Sequence, residues 1–231
     1  MASTVSPILT KWLRDVNDLA RSLKDEVLSQ DAWQSQMEAL YGRVPLADLL
    51  RLVDVDALVR RAPLPSVGES FEELELPAIE GLPARPAFYR VVAGFRAGRS
   101  IPPHAHNHLA SSFLVLQGEL RGRHFDRVRD IDADQMSIKA TSDRAFAPGD
   151  SSTVSQDRNN VHWFTATKDH SFVLDLGVGG LTRTGTIAPL PGQHPNKMNR
   201  IYLDLGPHAS KPGMVSRAHR LLEADAYRLY G

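Results

Sequence analysis

From residue 87 to residue 205 the chain is a succession of short runs rich in aromatic and β-branched residues. Gly, Pro, Asp and Asn separate them at close intervals, and the runs read AFYRVVAGF, SFLVLQGELRGRHF, QMSIKA, VHWFTATKDHSFVLDLGV and RIYLDL. Runs of this length and composition are typical of strands, and the residues between them are typical of turns. Many consecutive strands without intervening helices favour a sandwich or a barrel. The sequence therefore predicts a mainly β fold.

The first 62 residues have a different pattern, which predicts helices. Ser6 and Pro7 suit the N-cap and the first position of a helix. Apolar side chains then recur at helical spacing at Ile8, Leu9, Trp12, Leu13, Val16, Leu19, Ala20 and Leu23. We expect residues 1–62 to form a helical segment that packs on the β domain or on a partner subunit. Residues 71–231 are expected to form that domain, with a C-terminal helix over residues 217–231.

The charge balance and the absence of cysteine exclude several classes of site. Lys plus Arg and Asp plus Glu both number 27, and cysteine is absent. The chain therefore has no basic field for nucleic acid and no thiolate for zinc or for catalysis. No apolar stretch has the length of a membrane span, and the N-terminus does not have the pattern of a signal peptide. We expect a cytoplasmic protein with no nucleic-acid or membrane partner.

Three histidines stand at alternate positions in the stretch IPPHAHNHLASSFLVLQGELRG: His104, His106 and His108. Alternate residues of an extended chain point to one side, so two or three of these imidazoles could bind one metal ion. His162, which opens a strand after an Asn-rich bend, is the best candidate for a ligand from elsewhere in the chain. His108 points the same way if the strand continues, but it lies beyond the His104–His106 pair, so we expect it to support the ligands or line the pocket rather than to be a fourth ligand.

The stretch resembles the first motif of the cupin family. Gly98 is followed after five residues by His104 and His106, and Gly118 ends the motif, with every spacing met. The second cupin motif is met only loosely, by Pro148-Gly149 and a displaced His162. The resemblance covers residues 87–180 and implies a jelly-roll-like double-stranded β-barrel with a metal on His104, His106 and His162.

Ser111 occupies the position where that motif has a metal-binding glutamate. Three-histidine cupins include the thiol dioxygenases, namely cysteine dioxygenase, 2-aminoethanethiol dioxygenase and the plant cysteine oxidases. Leu116-Gln117-Gly118 and the segment from His162 to Asp175 are similar to segments of those proteins. The resemblance implies Fe(II) as cofactor, O2 as co-substrate and oxidation of a small thiol to a sulfinate. It does not carry over the identity of the thiol.

Further residues are candidates for the substrate side of the site. On the same resemblance, Asp175 corresponds to an acidic residue near the iron. An Arg on a strand would suit a substrate carboxylate, with Arg90 the first choice and Arg96 the second. Tyr202 or Tyr89 could donate a hydrogen bond at the metal.

The loop 185–199, with three prolines, is either a lid or a plain connection. The other histidines, His124 among them, are expected at the surface.

Two alternatives to the dioxygenase stay open at this point. One is a non-redox cupin enzyme, an isomerase, lyase or hydrolase that uses Zn, Ni or Mn as a Lewis acid. The other is a cupin that binds a ligand without turnover. A homodimer is plausible for each of the three.

Overall fold

The computed structural model describes residues 5–61, 64–182, 187, 190, 200–206 and 211–231. Its helices are α1 (Pro7–Lys24), α2 (Gln30–Tyr41), α3 (Leu46–Val53), α4 (Val55–Arg61) and α5 (Glu223–Tyr230). Its strands are β1 (Ser70–Glu73), β2 (Tyr89–Phe95), β3 (Ser100–His106), β4 (Leu109–Gln117), β5 (Leu120–Asp130), β6 (Gln135–Phe146), β7 (Ser151–Val154), β8 (Val161–Ala166), β9 (Ser171–Gly179), β10 (Arg200–Asp204) and β11 (Val215–Leu221).

The strands form two antiparallel sheets. One has the order β1-β2-β9-β4-β7, and the other has the order β10-β11-β6-β5-β8-β3. The second sheet closes on itself because β10 also pairs with β3. The result is a mainly β, jelly-roll-like sandwich, with helices before it and a helix after it. This confirms the fold class predicted from the sequence.

The middle strands of the five-stranded sheet, β2, β9 and β4, are buried on both faces, because their alternate residues enter different cores. On β4, Phe113 and Val115 enter a core between the two sheets. Their neighbours Leu114 and Leu116 enter a second core, which the sheet shares with the N-terminal helices. Burial on both faces explains why this strand is almost continuously apolar rather than alternating.

The N-terminal helices form a layer on the outer face of that sheet. Helix α1 begins as predicted, with Ser6 as N-cap and its hydroxyl accepting a hydrogen bond from the N–H of Leu9 at 3.2 Å. Its apolar stripe, which includes Trp12 and Leu13, is buried in the core shared with β9 and β4. None of the helices in the described part of the chain combines the length and apolar character of a membrane crossing.

The C-terminal stretch differs from the sequence prediction in its first half. Residues 217–221 belong to strand β11, and the helix begins only at Glu223. Strand β11 pairs with β10 on one side and β6 on the other, which satisfies its backbone groups, and Ala218 and Arg220 are buried while Arg217 and His219 are exposed. Burial of every second residue, as in a strand, outweighed the helix-forming composition of this stretch.

The loop 185–199, expected to be a lid or a plain connection, lies outside the described residues except for Ile187 and Leu190.

Candidate metal centre

Two neighbouring strands bring three histidines to one point between the sheets. His104 and His106 lie two residues apart on β3, and His162 on β8 is the direct cross-strand partner of His104. Side chains that are opposite each other in an antiparallel pair share a face. One ligand atom from each of the three rings lies within 4.8 Å of the others, and the Nε2 atoms of His104 and His106 are 3.1 Å apart. All three side chains are at least 96% buried.

Backbone carbonyls fix the tautomer of two of these rings. The Nδ1 of His104 lies 2.8 Å from the carbonyl oxygen of Pro102, and that of His162 lies 3.1 Å from the carbonyl oxygen of Asn160. A carbonyl oxygen only accepts, so Nδ1 carries the proton and Nε2 offers a lone pair. Burial first, and the neighbouring imidazoles second, hold the pKa of His104 and of His162 well below the usual value. Both rings are therefore neutral ligands at neutral pH.

The donor set fits a mononuclear divalent transition-metal ion. Imidazole nitrogen suits Fe, Zn, Ni and Cu, whereas Mg and Ca prefer oxygen. Ser111 is buried on β4, and its hydroxyl donates a hydrogen bond to Asp175. Three neutral nitrogen ligands leave the positive charge of such an ion uncompensated, which favours an anionic group in the remaining coordination positions.

Asp175 lies on β9 in a buried hydrogen-bonded group with Ser111 and Tyr89. The hydroxyl of Tyr89 donates to Ser111 Oγ at 2.9 Å and approaches Asp175 Oδ1 at 3.3 Å. Burial raises the pKa of Asp175 to about 7, although the hydrogen bonds from Ser111 and Tyr89 lower it. The register places Asp175 opposite Phe113, whose ring lies 5.5 Å from that of His162. Asp175 thus faces the same interior as the histidines and can exchange a proton near neutral pH.

Strand β10 supplies the rest of the wall that faces the metal ligands. Arg200 and Tyr202 are the cross-strand partners of His106 and His104, and the ring centroids of Tyr202 and His104 are 6.1 Å apart.

The guanidinium of Arg200 forms a buried ion pair with Glu69 at 2.7 Å, and the Tyr227 hydroxyl donates to Glu69 at 2.8 Å. Burial opposes the charge of Arg200, but the carboxylate of Glu69 together with Tyr202 and Tyr227 outweighs burial, so the pKa of Arg200 is raised.

The structure does not bring Arg90 to this site. Arg90 is the cross-strand partner of Leu176, so it lies on the helix-facing side of the sheet, and its guanidinium is 3.9 Å from the exposed Glu73. Arg96 follows the end of β2 and is exposed. The expectation that Arg90 or Arg96 contacts a substrate is therefore corrected, because strand alternation gives the interior position to Tyr89 and ends the strand at Phe95.

Two histidines also differ from the sequence prediction. Strand β3 ends at His106, and His108 adopts a φ of +55° with its Nδ1 2.8 Å from the carbonyl oxygen of Leu181. It therefore does not share the face of His104.

His124 is not at the surface. It lies on β5, is 2% exposed and is the cross-strand partner of His162. Burial lowers the pKa of His124 to about 4, so its ring is neutral.

Arg200, Glu69 and Tyr227 are the site residues that the sequence analysis missed. Arg200 could have been predicted from the sequence. It begins the run RIYLDL and stands two residues before Tyr202, which places both residues on one face of a strand. Glu69 and Tyr227 lie in the segment before β1 and in α5, and no local pattern connects them with β10.

Several solved structures resemble the chain at low identity. KdgF from Halomonas sp. has 19% identity and a TM-score of 0.34, over 48% of this chain and 77% of that one. An RmlC-like cupin protein from Desulfovibrio desulfuricans has 20% identity and a TM-score of 0.32, over 48% of this chain and 82% of that one. Recombinant oxalate oxidase in complex with glycolate has 14% identity and a TM-score of 0.35, over 49% and 51%. No protein-family model matches the chain, and no curated protein matches its sequence.

Proposed function

We propose that the protein is a non-haem Fe(II)-dependent dioxygenase of the three-histidine cupin type that oxidises a small thiol to a sulfinate. The observation that carries this proposal is the convergence of three buried imidazoles, those of His104, His106 and His162, with no carboxylate in the cluster among the described residues. Ser111 at the position of the cupin glutamate supports it, since a site without a carboxylate favours a thiolate as the additional ligand.

The reaction consumes one thiol and one O2 and gives one sulfinic acid, so it needs no external reductant. When bound, Fe(II) would supply coordination of the thiolate and activation of O2. The chain holds the imidazoles of His104 and His162 in the tautomer that offers Nε2 to a metal. Apolar groups such as Phe113 and Phe164 pack against the site and exclude water. Asp175, with its pKa near 7, can hold the proton that the thiol loses.

Arg200 and Tyr202 are positioned to contact the remainder of the substrate. Both are buried and face the ligand histidines across β10 and β3. The Tyr202 hydroxyl donates to Glu223 at 3.2 Å, and the positive charge of Arg200 helps to keep the pKa of His104 and His162 low. Arg200 takes the role that the sequence analysis gave to Arg90.

A non-redox cupin enzyme that uses Zn, Ni or Mn is the second candidate, because three neutral imidazoles also suit zinc catalysis. The two candidates differ in the metal that the protein holds as purified. Nitric oxide gives an electron paramagnetic resonance signal only with an iron site that is open to diatomic molecules.

The test is oxygen uptake by anaerobically purified, Fe(II)-reconstituted protein offered a panel of small thiols, with His162→Ala as control. We expect uptake that requires iron and one thiol, is lost in the variant and is matched by sulfinate formation. Protein that binds one equivalent of iron, yet consumes no O2 with any thiol in the panel, would reject the thiol dioxygenase.

A further inference from the structure

Helix α2 presents a polar stripe to the sandwich, in addition to its apolar one. Gln30, Gln34 and Glu38 stand at successive four-residue intervals, so they lie on one face of the helix. Each contacts the segment 153–158, which comprises the end of β7 and the residues after it. Gln30 accepts from the N–H of Gln156 at 2.8 Å, and Glu38 accepts from the Thr153 hydroxyl at 2.5 Å.

Gln34 is the centre of this stripe and is fully buried, at 0% exposure. Its Oε1 accepts from the Ser155 hydroxyl at 2.7 Å, and its Nε2 donates to Thr153 Oγ1 at 3.2 Å and to the carbonyl oxygen of Arg158 at 3.4 Å. Both ends of the amide are thus bonded to one short segment. A buried glutamine is costly unless it is bonded in this way, so the geometry of the segment and of Gln34 depend on each other.

The same segment continues directly into the metal site through Asn160. The side-chain amide of Asn160 donates to the carbonyl oxygen of Ser155 at 3.2 Å and to that of His106 at 3.0 Å. The backbone carbonyl oxygen of Asn160 lies 3.1 Å from Nδ1 of His162 and sets the tautomer of that ring. One residue therefore connects Ser155 with two of the three ligand histidines.

We propose that Gln34 of helix α2 is a positioning residue for the metal centre, acting through Ser155 and Asn160 on His106 and His162. The N-terminal helical layer is then part of the metal site rather than only a cover for the outer face of the sheet. The inference rests on the metal site of the proposed function, and it holds whether that site is a dioxygenase or not. Partners of this kind orient ligands, and their loss weakens metal binding by about 10–100-fold.

The test compares Gln34→Met, which keeps the volume and loses the hydrogen bonds, with Gln36→Met. Gln36 is exposed on the same helix and serves as the matched control.

Two measurements are made on each variant. Metal-free protein is titrated with Co(II), and binding is followed by visible absorption. The tautomer of His162 is read by ¹⁵N NMR of the imidazole in the metal-free protein. Far-ultraviolet circular dichroism confirms that each variant is folded, and Ser155→Ala is a second variant that removes a single hydroxyl from the same path.

We expect Gln34→Met to raise the Kd for Co(II) about tenfold or more and to shift His162 from the Nδ1–H form to a mixture of tautomers. Gln36→Met is expected to stay within about twofold of the wild type. Wild-type affinity in folded Gln34→Met, or reduced affinity with an unchanged His162 tautomer, would overturn the inference. If the wild type binds no Co(II), the proposed function and the metal-centre role of Gln34 both fail, whereas a folded wild type that binds Co(II) but oxidises no thiol leaves the inference to be decided by the Gln34→Met variant.

Discussion

Arg200 on β10 lies directly across from His106 on β3, so a cation and a candidate metal ligand share one face where the two strands pair. The cation is held by a carboxylate from a distant part of the chain, because Glu69 precedes β1. The pairing of β10 with β3 also closes the six-stranded sheet, and Tyr202 continues it opposite His104. Closure of the sheet and construction of the site therefore depend on the same pair of strands.

Glu69→Gln is expected to destabilise the protein strongly. It removes the carboxylate from an ion pair whose side chains are 7% and 2% exposed, and breaking a buried pair costs about 3–5 kcal/mol. Urea unfolding of the metal-free protein measures the change. Glu72→Gln, which removes an exposed partner of Arg61, should stay within about 1 kcal/mol of the wild type. Equal effects of the two substitutions would contradict a structural role for the buried pair.

His162→Ala is expected to weaken metal binding by more than the roughly 100-fold that loss of an indirect partner can cause. The substitution removes one of three ligands, and the other two lie on a single strand. Equilibrium dialysis against Co(II) or Zn(II) gives the affinity. His170→Ala is the matched control, since His170 is exposed in the turn before β9. Similar affinities for His162→Ala and the wild type would place the metal elsewhere.

Asp175→Asn is expected to stabilise the metal-free protein at pH 8 and to have little effect at pH 4. The pKa of Asp175 is raised from 3.8 to about 7, so the folded state holds a proton there that the unfolded state releases above pH 4. Stability therefore falls as pH rises from about 4 to about 7, and the charged form at pH 8 costs about 2–4 kcal/mol. The amide avoids that cost and still accepts hydrogen bonds.

The measurement for Asp175→Asn is urea unfolding at several pH values between 4 and 8. The difference from the wild type should grow with pH up to about 7 and then level off. Asp56→Asn, at an exposed position in the first turn of α4, controls for the general effect of removing a carboxylate. A difference that is constant across this range would mean that Asp175 is already ionised at pH 4.

Gly118→Ala is expected to cost about 3 kcal/mol or more, and Gly98→Ala only about 1–2 kcal/mol. Both glycines have a positive φ, +80° and +77°, so both substitutions strain the backbone. A Cβ on Gly118 would also lie 2.5 Å from the Cα of Ser171, whereas a Cβ on Gly98 would have no atom within 4 Å. Thermal or urea unfolding of the two variants checks the order. The reverse order would show that the contact with Ser171 relaxes at little cost.

The fold class and the candidate ligand histidines could be predicted from patterns in the sequence. Spacing along one strand places His104 and His106 on a common face, and the motif ends at Gly118, where the chain must turn. The substrate side was not predictable in the same way. Arg90 and Tyr89 are neighbours on β2, and only the register with β9 decides that Tyr89 faces the interior while Arg90 pairs with Leu176.

Pairing between distant segments explains the other differences. His124 follows charged residues and was expected at the surface, but β5 lies beside β8 and brings its ring next to His162. His108 was expected to share the face of His104, but β3 ends first and a positive φ turns the backbone. In each case the deciding information is which strands are neighbours, and one strand's own residues do not contain it.

The three ligand histidines all precede residue 163, whereas Arg200, Tyr202 and Tyr227 follow residue 199. On the proposed function, metal binding and substrate contact thus come from separate stretches of sequence that meet in space. If that function holds, β10 and α5 can be changed to alter the substrate while the three histidines keep their arrangement. A library randomised at positions on β10 and α5, with β3 and β8 untouched, is the laboratory form of that change.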